Sequence, residues 1–224
     1  MKKLITGLAI ASALLVSTAS YADPHKSGDW LVRTGFSGMS ATSGDNTVVI
    51  KESTKDYTFS TDEAYAMGFN IAYFLDRNWA VEVSTASPFK HRINVEEAGV
   101  GKGKVAHTSS LPLMFSGLYY LDRDWDFKPY VGAGLHYTFF FSSKISEGGE
   151  GLGFKDLKFG NAYGFALQAG ADYQFTRNWS SNVAVRYTGL SSDTSFTYGS
   201  SSNKGSGTLN IDPWVLSVNV GYKF

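Results

Sequence analysis

Four charged side chains recur at alternate positions of otherwise apolar stretches: Arg33, Glu82, Asp172 and Arg186. Two guanidiniums and two carboxylates suit bidentate ion pairing. In an interior, such charges are tolerable only when paired or hydrated, so Glu82 and Asp172 are the natural partners of Arg33 and Arg186. Asn70, Ser84, His136, Gln168, Asn182, Ser217 and Asn219 share the same faces. Two readings of this set stand. It is a structural polar plug that satisfies its own buried groups, or a constriction whose lining meets a ligand. Of the other histidines, His91 and His107 fall in one long loop, with no acid or second histidine at metal-ligand spacing. No metal and no cofactor is expected. Catalysis would need a Ser-His-acid or paired-carboxylate group at one rim. Glu96 and Glu97 read instead as a solvated turn beside Gly99, Gly101 and Gly103, and no enzymatic activity is expected.

The elements that carry these residues are strands. In the last stretch, 214–224, Trp214, Leu216, Val218, Val220, Tyr222 and Phe224 alternate with mostly small or polar residues. Period two puts the two sets on opposite faces of a strand. An apolar face with aromatics at both ends suits a lipid-facing barrel strand, although an amphipathic strand of a soluble sandwich reads alike in isolation. The same alternation recurs at 29–37, 64–75, 78–87, 111–121, 128–141, 162–175 and 178–188, making eight. Each strand has about the 9–11 residues that a tilted crossing needs.

The connections decide between barrel and sandwich. Those at 76–78, 122–127 and 176–178 are short; those at 38–62, 88–110, 142–161 and 189–210 are long. Outer-membrane barrels alternate short periplasmic turns with long external loops, whereas a sandwich has no reason to sort its loops this way. A hairpin repeat marks the short turns: Leu75-Asp76-Arg77-Asn78-Trp79, Leu121-Asp122-Arg123-Asp124-Trp125 and Phe175-Thr176-Arg177-Asn178-Trp179. Tryptophan at such a place belongs to the interfacial belt. Trp30, Trp79, Trp179, Trp214, Tyr222 and Phe224 are the expected interface aromatics. The expected fold is all-β, an eight-stranded antiparallel transmembrane β-barrel, with the last strand closing onto the first near Trp30.

Residues 1–22 read as a cleaved signal peptide, with Lys2 and Lys3 before an apolar run and Ser20-Tyr21-Ala22 as a small-x-small site. Residues 23–224 then form the barrel. The apolar run is too short to span a bilayer as a helix. Without Lys2 and Lys3, 18 basic face 20 acidic residues, a balance that gives no support for nucleic-acid binding. The absence of cysteine excludes disulfides and thiolate metal sites. The chain is expected in the outer membrane of a Gram-negative bacterium, with the lipids of that membrane and its barrel-assembly machinery as partners.

Several stretches resemble the OmpW family of small outer-membrane barrels. They are Gly28-Asp29-Trp30-Leu31-Val32-Arg33-Thr34-Gly35, Ser87-Pro88-Phe89-Lys90-His91-Arg92-Ile93, Leu111-Pro112 and Lys128-Pro129-Tyr130-Val131-Gly132-Ala133-Gly134-Leu135-His136-Tyr137-Thr138. The end, Asp212-Pro213-Trp214-Val215 through Gly221-Tyr222-Lys223-Phe224, matches too. The resemblance implies a conduit for small hydrophobic molecules, and members are associated with stress responses and with colicin or phage as surface partners. It also implies a largely apolar lumen, from which Ser84 and Arg186 depart. Lateral release would need a break in strand pairing near Pro88 or Pro112, since proline cannot donate a ladder hydrogen bond. The alternative is a plugged structural or receptor-type barrel whose external loops bind partners or confer stress resistance.

Overall fold

The structure is a computed structural model and describes residues 23–40, 43–44, 57–61, 63–97, 101–121, 125–145, 154–198 and 203–224. The leader 1–22, the apolar insert Val48-Val49-Ile50 and the turn 122–124 lie outside the described residues.

Among the described residues, twelve strand segments make eight staves. In chain order they are β1 (Trp30–Met39), β2 (Ser43–Gly44), β3 (Tyr57–Thr61), β4 (Ala64–Phe74), β5 (Trp79–Ala86) and β6 (Phe89–Glu97). There follow β7 (Gly101–Tyr120), β8 (Phe127–Ile145), β9 (Phe154–Gln174), β10 (Trp179–Tyr198), β11 (Asn203–Ile211) and β12 (Trp214–Lys223). Neighbours pair antiparallel, and the ring closes where β1 meets β12 with Val32 opposite Tyr222. The Phe224 N–H donates to the Trp30 carbonyl at 2.9 Å, so the terminal residue completes the seam. The chain is a closed eight-stranded antiparallel barrel.

The alternation dictates the faces. Phe36, Tyr65, Leu135, Tyr163 and Phe224 are among the most exposed large apolar residues, which is the surface that lipid covers in a barrel of this kind. Between them Leu31, Arg33, Phe74, Leu118, Tyr120 and Lys128 point inward and are buried. The short turns are fixed by their own side chains. Asp76 Oδ1 accepts from the N–H groups of Asn78 and Trp79, both at 2.7 Å. Thr176 Oγ1 accepts from the Trp179 N–H at 2.9 Å. These are the local polar turns that Asp and Thr favour.

The strands run longer than the sequence suggests. β7, β8, β9 and β10 span 20, 19, 21 and 20 residues. Much of what reads as long loop is therefore ladder, including Asn203-Lys204-Gly205-Ser206-Gly207 of the connection 189–210, which pairs with β10 opposite Tyr198 to Thr194. Above the lipid both faces meet water, so the apolar-polar signal vanishes while backbone pairing continues.

Candidate functional site: a packed floor and an interrupted seam

The barrel interior is divided by Arg33. Its guanidinium is fully buried and forks onto Asp172, with Nε to Oδ1 at 3.0 Å and Nη2 to Oδ2 at 2.6 Å. Its Nη1 donates to Glu82 Oε2 at 2.9 Å. Tyr120 bridges the same group: its hydroxyl accepts from Arg33 Nη2 and donates to Asp172 Oδ2. Asn182 Nδ2 donates to Asp172 Oδ1 at 3.0 Å and receives Asn219 Nδ2 on its own Oδ1 at 2.9 Å. The Tyr130 ring lies 5.4 Å from Arg33 Cζ, within cation–π range. Leu31, Phe74, Ala80 and Leu118 pack around this network. Three charges from β1, β5 and β9, with Asn182 from β10, thus meet because alternate positions of four staves point at one axis. Together with the aromatic rings they form a packed floor.

Arg186 sits at the edge of that floor rather than inside it. Its Nε and Nη2 donate to Gln168 Oε1 at 3.3 and 2.9 Å, and Nη2 lies 3.9 Å from Glu82 Oε1. Gln168 Nε2 in turn donates to Glu82 Oε1 at 3.0 Å. The Arg186 side chain keeps 18% of its surface exposed, against 0% for Arg33. Other inward positions, Asn70, Gly132, Gly134 and His136, are only partly buried. Asn70 stands opposite both Arg33 and Ser84 in the ladder. His136 Nε2 is 3.1 Å from Thr138 Oγ1. Ser84 is buried, and its hydroxyl has no protein partner.

Under the floor lies a segment that strand periodicity cannot reveal. Residues 23–29 fold beneath the barrel, with Gly28 at φ 95° and its N–H donating to the Phe74 carbonyl at 2.9 Å. Positive φ is where glycine alone is free of strain. His25 is buried and stacks on Phe74 with ring centroids 3.9 Å apart, and meets Tyr120 edge-on at 5.2 Å. Lys223 Nζ holds the segment from the last strand, 3.7 Å from Asp23 Oδ2 and 3.8 Å from Asp29 Oδ2. Burial, and then the charges of Lys128, Lys223 and Arg33, push the His25 imidazole down to about 2, so it sits neutral. A small void bounded by His25, Lys128, Asp172 and Lys223 has room for about one water molecule.

The second feature is in the wall. β5 pairs with β7 as far as Thr85 opposite Leu113, and pairing resumes only at Phe89 opposite Ser110. Three residues, Ala86-Ser87-Pro88, therefore face two, Leu111-Pro112, as in a β-bulge. Ser87 is tied to the other neighbour, its N–H donating to the Met67 carbonyl at 2.7 Å and its Oγ accepting the Met67 N–H at 3.0 Å. The Thr85 hydroxyl reaches across to the Pro112 carbonyl at 2.8 Å. On the far side of β7 pairing runs unbroken through Pro112, which stands opposite Thr138. The interruption is thus confined to one seam, where Pro88 is exposed and Phe89 turns inward. Ala64, Ala66, Ala86 and Phe89, with Met39 against them, give the interior beside this seam an apolar lining.

The aromatics gather into pairs at the two ends of the crossing strands. Trp30 with Tyr73, Trp79 with Tyr119 and Trp179 with Tyr222 pair at 4.9 to 5.0 Å near the short turns, and Tyr222 also meets Phe224 at 4.7 Å. Trp214 lies at the other rim, 5.1 Å from Tyr187. Of the functional side chains, Tyr120, Tyr130 and Lys128 escape a sequence reading that looks for charge in mid-strand. Even-numbered positions of 114–120 and 128–138 point inward, and that parity is the signal for all three. His25 has no such signal, since it lies outside every strand.

A closed barrel with a lipid-facing apolar girdle, paired internal charges and short turns at one end is an outer-membrane β-barrel. The chain belongs to the OmpW family, whose pattern it matches over residues 26–224. It is 32% identical to outer membrane protein W of Vibrio cholerae and 31% identical to that of Escherichia coli, in each case over the full length of both chains. Among solved structures, outer membrane protein OprG of Pseudomonas aeruginosa superposes with a TM-score of 0.83 at 29% identity, over 90% of this chain and 98% of that one.

Proposed function

We propose that the barrel admits small hydrophobic molecules at its outer mouth and releases them sideways through the seam at Pro88 and Pro112. The observation that carries this is the contrast between floor and wall. Descent would require breaking a fully buried ion-pair network, whose loss of one partner costs about 3–5 kcal/mol. Leaving between Ala86-Ser87-Pro88 and Leu111-Pro112 requires no ladder hydrogen bond to break, because none is paired there. Apolar side chains line the approach, so a molecule reaches the bilayer without crossing the buried Arg33 network. One relative, 26% identical over 161 residues, bears the name dibenzothiophene metabolism operon protein PahQ. The compound in that name is apolar and aromatic, in keeping with such a cargo.

The second reading, a plugged barrel that acts through its external loops, draws on the same packed floor. Conductance does not separate the two, since both are closed to ions; uptake does. Cells producing the protein are expected to take up the apolar fluorophore 1-N-phenylnaphthylamine faster than cells producing Ala66→Trp, in which an indole fills the lining beside the seam. Purified protein is expected to pass no ionic current in planar bilayers. Equal uptake by the two kinds of cell would favour the plugged barrel.

A further inference from the structure

We infer that the rim of the floor is a carboxylate-binding subsite, so that the preferred cargo is an amphiphile with an anionic head and a short apolar tail. The inference rests on the conduit reading above and names its substrate class. Arg186 is the residue that carries it. Its Nε and Nη2 are held by Gln168, and Nη2 reaches Glu82 only at 3.9 Å. That leaves Nη1 as a directed donor on a guanidinium that is still partly exposed, whereas every nitrogen of Arg33 is committed to a carboxylate or to Tyr120. Glu82 cannot neutralise both arginines, because Oε2 is taken by Arg33 and Oε1 accepts from Gln168. Asp172 is fully engaged by Arg33, Tyr120 and Asn182. The two arginines and two carboxylates balance in charge, but the direct carboxylate hydrogen bonds go to Arg33, and Arg186 meets Glu82 only through the 3.9 Å contact.

A second, independent observation points to a ligand at this level. Ser84 and Ser116 are over nine-tenths buried at inward positions, and neither hydroxyl has a protein hydrogen-bond partner. Thr188 is fully buried in the same condition, and so is Nδ1 of the partly buried His136. These groups lie on β5, β7, β10 and β8. Three of them are neighbours across the ladder, Ser84 and His136 both opposite Met114, and Ser116 opposite both Glu82 and Gly134, while Thr188 stands two residues from Arg186 on β10. Buried polar atoms normally find partners, and donors converging beside a free guanidinium edge suit the two oxygens of a carboxylate. The apolar cluster of Ala64, Ala66, Ala86 and Phe89 would take the tail. A tail short enough to reach from that cluster to Arg186 keeps the head off the lipid until release.

The test uses the protein in lipid nanodiscs, with octanoate and 1-octanol as probes and protein-free nanodiscs as the blank. Wild type is expected to bind octanoate about tenfold or more tighter than 1-octanol, the scale of a charge-assisted hydrogen bond. Octanoate, and not 1-octanol, is expected to shift the Arg186 Nε–H resonance. Arg186→Met should erase the preference and Arg186→Lys should keep part of it. The resonance in wild type decides the matter should Arg186→Met fail to insert. Equal binding of the two probes, with no Arg186 shift, would overturn the subsite while leaving the conduit intact. Binding of neither probe above the blank would overturn the conduit reading and the subsite together.

Discussion

At the scale of single residues, the pairing of Arg33 with Glu82 and Asp172 is what the chain's alternation makes readable. Three charges at inward parity on three staves have only one another to meet. The third dimension was not readable. Nothing in the sequence says that Tyr120 closes the triangle, or that Arg186 falls at the edge and meets Gln168 before any carboxylate. Those outcomes depend on strand stagger, which sets the height of each inward residue along the axis. Arg33→Met is expected to cost about 3–5 kcal/mol, because it strands two buried carboxylates, and to lower the urea midpoint of unfolding accordingly. The triple change Arg33→Met, Glu82→Gln and Asp172→Asn should recover much of that loss. A triple variant no more stable than Arg33→Met alone would show that the charges matter individually rather than as a set.

At the scale of elements, the eight crossing strands were legible, and so were the short turns, because lipid imposes alternation and the turns carry their own hydrogen-bonding side chains. The strand extensions were not, since a ladder wet on both faces has no apolar period to read. The segment 23–29 was hidden for a different reason: it docks through one ring and a glycine turn. His25 makes that docking sensitive to acid. Unfolded or undocked, a histidine titrates near its ordinary value of about 6.5, whereas docked it stays neutral to about 2. The undocked form therefore binds the extra proton, and docking is at full strength above pH 6.5 and weakens as pH falls below it. The groups facing the ring, Lys128, Lys223 and Arg33, all oppose its protonation. Amide exchange in residues 23–29 is expected to quicken by about tenfold per pH unit lost below 6.5, after correction for intrinsic rates. His25→Phe, which keeps a ring on Phe74, should remove that dependence. A dependence that persists in His25→Phe would assign it to Asp23 or Asp29 instead.

At the scale of the whole molecule, the fold sorts its interior into two environments along one axis. Near the short turns, charge and aromatic packing seal the lumen. Farther up, the wall between β5–β6 and β7 is interrupted beside an apolar lining. The prolines at 88 and 112 hinted at that gap, but only the register shows that it lies on one side of β7, since Pro112 pairs normally with β8. A route through this wall is the central claim, and the cysteine-free chain offers a direct test. Cysteines in place of Ser87 and Leu111 would staple the two sides of the gap across the lipid-facing wall. With the disulfide formed, uptake of 1-N-phenylnaphthylamine should fall to the level of Ala66→Trp, and reduction should restore it while the barrel stays folded throughout. Undiminished uptake through a fully oxidised seam would contradict lateral release.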